Sequence, residues 1–120
     1  MNPLDQIKRD FLAECAEDFV GLWSLLRTVN FTIPNLTPIE AQSITLRFLE
    51  DLLRAEAIVV LQISNSRLEA WNLPPASAIK RIKDEWDALG RDPDIGEIAW
   101  FTLPMSDGKL AQINERMQDG

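Results

Sequence analysis

Leu4, Ile7, Phe11, Cys15, Phe19, Leu22, Leu26 and Val29 recur every three or four positions, the period of a helix laid on a core. Asn2 and Pro3 are suited to its start, so the pattern predicts one helix from Pro3 to about Val29. Leu12, Ala16 and Trp23 widen the apolar arc to about half the circumference. Such a helix is clasped by neighbours. Asn30 to Thr37, with Pro34 inside, reads as a loop. Thr37-Pro38-Ile39-Glu40 is a capping box, opening a second helix through Leu46, Leu49, Leu52 and Leu53 to about Glu56.

The period then shortens. Ala57 to Ser64 is β-branched and free of breakers, Asn65-Ser66 suits a tight turn, and Arg67 to Trp71 returns, which together predict a hairpin. Leu73-Pro74-Pro75 ends it. Ile79, Ile82, Trp86 and Leu89 mark a third long helix stopped by Gly90. Asp92-Pro93-Asp94 reads as a turn, Ile98 to Leu103 as a strand apolar on both faces, and Ser106-Asp107-Gly108 as the lead into a last helix from Lys109 to about Met117. The expected fold class is α+β and mostly helical, in the order α-α-β-β-α-β-α, with a small antiparallel sheet packed on helices. Residues 1–120 make one domain by length.

Composition narrows the function. Nineteen acidic against twelve basic residues give a net charge of −7, spread evenly along the chain. Nucleic acid and anionic membranes are poor partners for such a surface, because both need clustered cations. A basic protein partner suits it. No apolar run approaches the roughly 20 residues of a membrane span. Charges within Met1 to Asp10 stand where an export signal would be apolar, and one cysteine cannot close an internal disulfide. A cytoplasmic setting is expected.

Histidine and tyrosine are absent, which removes the commonest general base, metal ligand and nucleophile activator. No phosphate loop, Cys-x-x-Cys pair or nucleophile elbow is present. The expectation is a non-enzyme without catalytic residues, cofactor or metal. Cys15, within the apolar arc, reads as a buried structural thiol.

Two acidic clusters stand out. On the first helix Asp10, Glu14, Glu17 and Asp18 share an arc of about 100°, with like charges one turn apart; Gly21, Ser24 and Thr28 continue it as a small-residue strip. The arrangement suits a partner's Lys or Arg, and equally a solvated outer face. The second holds Asp84, Glu85, Asp87, Asp92, Asp94 and Glu97, partly at a helix C-terminus where acids oppose the dipole. Its spacing matches no calcium loop. Lys80, Arg81 and Lys83 each find an acid four residues on, at Asp84, Glu85 and Asp87, which predicts a self-paired face. Trp23 and Trp86 fall on core stripes. Trp100 and Phe101 point to opposite faces of one strand, so one of them is a candidate interface anchor.

The spacing of Trp71, Ile82, Trp86, Gly90, Asp92-Pro93, Gly96 and Ile98-Ala99-Trp100-Phe101-Thr102 resembles that of small bacterial proteins with a degenerate winged-helix look. The acidic, site-free character resembles immunity proteins of contact-dependent growth inhibition systems. The first resemblance implies a winged-helix-like fold that has lost its DNA-reading part, since a single helix, Pro38 to Glu56, leads straight into the hairpin. The second implies a protein that neutralises a toxin domain, such as a basic nuclease, by stoichiometric binding through Asp10, Glu14, Glu17, Asp18, Asp84, Asp87, Asp92, Asp94, Glu97 and Trp100. A transcriptional regulator, or a homodimeric scaffold paired through Ile98–Leu103, are the alternatives.

Overall fold

The computed structural model describes residues 2–105 and 107–119. Its elements are helices α1 (Pro3–Glu17), α2 (Leu22–Thr32), α3 (Pro38–Arg54), α4 (Pro75–Leu89) and α5 (Asp107–Asp119), with strands β1 (Val20–Gly21), β2 (Val59–Ser64), β3 (Arg67–Ala70) and β4 (Trp100–Thr102). The strands form one antiparallel sheet in the order β1-β4-β2-β3. The fold is α+β as expected, and the long elements follow in the expected order. Ser106, placed by the sequence in the turn before the last helix, lies outside the described residues.

The helix expected to run unbroken to Val29 is interrupted. Asp18 leaves the helical region, at φ −159° and ψ 178°, and its carboxylate accepts the Phe19 N–H at 2.7 Å. Short acidic side chains compete for backbone donors in this way, which opens helices. Val20 and Gly21 then pair with Phe101 and Trp100 before α2 begins. The apolar period crosses the break undisturbed because α1 and α2 both press on the same core.

Elsewhere the termini follow local chemistry. Asn2 Oδ1 accepts the Leu4 amide, and Thr37 and Glu40 exchange both capping-box hydrogen bonds at 3.0 and 3.1 Å. α3 stops two residues short of Glu56, which takes φ +57°. There the Glu56 and Ala57 amides donate back to the carbonyls of Leu53 and Leu52, a Schellman closure with glutamate in the usual glycine place. Gly90 ends α4 in the left-handed region, as its position predicted.

The hairpin is also as expected: Asn65 and Ser66 both have positive φ, the signature of a type I′ turn between β2 and β3. The strand expected over Ile98–Leu103 is shorter, because Ile98 sits at φ +71° and bends the chain just before it. β4 lies between β1 and β2, with both edges paired. It is therefore no free edge for the dimer considered from the sequence.

The core gathers on the helix side of β4. Phe101 is fully buried and meets Phe11 edge-on at 6.0 Å, and Phe11 meets Phe48 at 5.6 Å. Ile7, Leu22, Leu25, Val29, Leu49 and Ile82 close around them. The break in the first helix also changes the winged-helix comparison. Three helices, α1, α2 and α3, precede the hairpin where the sequence suggested two, and α2 and α3 stand in succession directly before it. β1, however, pairs with β4 and not with the hairpin. Among the described residues no helix is long and apolar enough to cross a membrane.

Candidate functional site

Large apolar side chains left in water are informative where they cluster. Phe31, Ile39 and Ile95 are the most exposed of them, at 91 %, 76 % and 68 %. Two of these rim neighbouring depressions. One, of about 480 Å³, is lined by Pro38, Ile39 and Gln42 at the start of α3 and by Trp86, Asp87, Gly90, Arg91 and Asp92 at the end of α4. The other, of about 290 Å³, is lined by Trp23, Leu26, Arg27 and Asn30 of α2 and by Asp92, Pro93, Asp94 and Ile95. Asp92 belongs to both. The result is one face, built where α2, α3 and α4 meet the segment 91–97.

That segment is tied together by its own hydrogen bonds. Arg91 donates from Nη1 and Nη2 to the two carboxylate oxygens of Glu97, at 2.7 and 2.9 Å. Nη1 also reaches the Asp92 carbonyl, and the Asp94 amide donates to Glu97 Oε1 at 2.7 Å. The paired guanidinium, with the Asp94 amide, lowers the Glu97 carboxyl to about 2. Gly96 at φ +79° and Ile98 at φ +71° make the bend. A β-branched residue is rarely found there and is held by its surroundings. Trp100 packs close by, with its ring near both Gly21 and Gly96.

The acidic residues singled out from the sequence divide into three groups. Asp84, Glu85 and Asp87 are paired with Lys80, Arg81 and Lys83 at 2.7, 2.8 and 2.7 Å. Asp87 also accepts from Gln42, and the Lys83 contact, with that of Gln42, lowers its carboxyl. The three ion pairs are the ones the i,i+4 spacing predicts, and with Glu97 bound to Arg91 the second cluster is largely neutralised. Asp92 and Asp94 are its carboxylates without an ion pair among the described residues, and both lie on the face. Asp10, Glu14, Glu17 and Asp18 are exposed on α1, away from it. The helix break separates them from Gly21, which is buried; only Glu14 still borders a small cleft with Ser24 and Thr28.

The aromatic expectations also sort out. Phe101 is wholly buried and cannot anchor a partner, whereas Trp100 is half-buried. Trp86 is buried under the first depression. Trp23, expected in the core, is only half-buried, and its Nε1 has no hydrogen-bond partner among the described residues. Ile39, Ile95 and Gln42 were missed. Their signal was apolar residues off the helical stripe, at Ile39 beside the Thr37 cap and Ile95 inside an acidic turn.

Chemically this face offers apolar and charged groups side by side. Its ionisable groups are aspartates and arginines open to water. Among the described residues no group of three or more acidic or cysteine side chains is placed to hold a metal ion.

No protein-family model, curated protein or solved structure matches the chain. The functional reading therefore rests on the face itself.

Proposed function

We propose that this chain acts by stoichiometric docking to a basic protein, as an immunity protein that neutralises a toxin domain, for which a cationic nuclease is the natural candidate. The observation that carries the reading is the face around Asp92: two exposed isoleucines, Ile39 and Ile95, flank unpaired carboxylates on a loop pre-shaped by Arg91 and Glu97. Full burial of either isoleucine would contribute about 1.5–3 kcal/mol, and a loop tied by its own hydrogen bonds lowers the ordering cost of binding. The partner's Lys or Arg side chains would meet Asp92 and Asp94. The α1 carboxylates Asp10, Glu14 and Glu17 would act at longer range, raising the encounter rate more than the lifetime of the complex.

Calorimetry at low salt with the product of the adjacent reading frame tests this. A one-to-one complex weakened at least tenfold by Asp92→Lys with Ile95→Ser supports it, and absence of a complex removes the reading for that pair.

One observation favours a second reading, a winged-helix-like regulator: α2 and α3 precede the hairpin as a helix–turn–helix order. The exposed side of α3 is of mixed sign, with Arg47 and Arg54 beside Glu40 and Asp51, which suits phosphate contacts poorly. A gel shift with the chain's own upstream DNA separates the two readings.

A further inference from the structure

β3 forms an edge of the sheet, and an edge strand presents unpaired backbone groups that invite another strand. The register pairs Arg67 with Ser64 and Glu69 with Gln62, and the Trp71 amide donates to the Val60 carbonyl. Hydrogen-bonded and non-bonded pairs alternate along an antiparallel ladder, so the Leu68 N–H and C=O point outward. Both are occupied by one side chain. Asn114 of α5 accepts the Leu68 N–H with Oδ1 at 2.7 Å and donates from Nδ2 to the Leu68 carbonyl at 3.2 Å. Its amide imitates the backbone of a fifth strand.

Among the described residues, β3 is the element α5 packs closely against. Asn114 is the single buried residue among the helix's described side chains, with Leu110 and Ile113 only half-buried. Docking joins this polar contact to the half-buried Leu110 and Ile113, over a strand whose Leu68 is 2 % exposed.

We propose that α5 is a latch over β3, and that its release lets β3 pair antiparallel with β3 of a second copy about a two-fold axis at Leu68. In that register the two Leu68 residues exchange the same two hydrogen bonds that Asn114 now supplies. Arg67 of each copy falls directly opposite Glu69 of the other. Both side chains are exposed, and opposite charges facing across strands favour pairing. This self-complementarity selects a second copy over an unrelated strand. The proposal is independent of the docking face.

Light scattering on the full chain tests it. Asn114→Ala, folded by circular dichroism, is expected to double the mass from 13.6 kDa. Adding Glu69→Arg sets like charges opposite at both crossings and returns the monomer, and the exchange Arg67→Glu with Glu69→Arg restores the dimer. A folded N114A protein that stays monomeric at NMR concentrations overturns the proposal, as does a dimer indifferent to E69R. If N114A does not fold, Asn114→Asp, which keeps an acceptor for the Leu68 amide, takes its place in the same series. Failure of both to fold overturns the latch as well, by making α5 part of the core.

Discussion

The hydroxyl of Thr102 donates to the carbonyl of Cys15 across 87 positions of chain, at 3.3 Å and away from solvent. The last carbonyls of a helix have no partner within it. The Phe19 amide, which would have served Cys15 in a longer helix, is taken by Asp18. The break in the first helix thus creates an orphan acceptor, and β4 satisfies it. Thr102→Val leaves that carbonyl buried and unpaired, at a cost of about 1–3 kcal/mol. Urea unfolding reads this as a lower midpoint with an unchanged slope; stability equal to the parent's would show that the hydrogen bond contributes nothing.

Gly21 and Gly90 are expected to resist substitution for different reasons. A Cβ on Gly21 would lie 2.6 Å from Trp23 Nε1 and 3.5 Å from the Trp100 ring. Gly21→Ala must push the Trp23 indole aside, which costs about 1–3 kcal/mol as overpacking does and alters tryptophan fluorescence. A Cβ on Gly90 meets nothing, but its φ of +69° is strained for any L side chain. Gly90→Ala should therefore cost about 1–2 kcal/mol with the fluorescence unchanged.

The loop at 91–97 should loosen in acid. Glu97 is held at about 2 against an ordinary 4.5, chiefly by its hydrogen bonds with Arg91. A depressed carboxyl stabilises the fold fully above its unfolded value and loses that contribution as pH falls from 4.5 toward 2. The Asp94 amide, which donates to Glu97, should report the native carboxyl in NMR chemical shift as a titration with its midpoint near 2. In Glu97→Gln that titration disappears. A transition centred at the ordinary carboxylate value would contradict the pairing.

Cys15 should be inert in the native state. It is 2 % exposed, and burial, with a lesser part from the Glu14 charge, raises the thiol to about 12 from 9.0. Only the thiolate attacks disulfide reagents, so labelling should follow the unfolding rate, with reaction at the speed of a free thiol contradicting it. The same shift gives stability that is complete below pH 9 and declines as pH rises toward 12.

Much of this was legible along the chain because local rules set it. The Thr37–Glu40 box, the Asn65-Ser66 turn, the Gly90 stop and the Lys80–Asp84 pairing depend on neighbours within four residues. The break at Asp18–Gly21 was hidden because its local signal is one short acidic side chain, and what fixes it is distant: Val20 and Gly21 pair with Phe101 and Trp100, in a strand about eighty positions later. The docking face was half legible. Asp87, Asp92 and Asp94 were singled out, but Ile39 and Ile95 acquire meaning only once α3 and the segment after α4 are brought side by side.

Periodicity and charge alone settled that this is an acidic α+β chain without histidine chemistry, since apolar spacing and residue type are properties of the unfolded string. Which acids stay unpaired, which strand is interior and what covers the β3 edge were decided by packing. Those depend on contacts between distant segments, where Arg91 reaches Glu97 around a bend and Asn114 reaches Leu68 across the sheet edge.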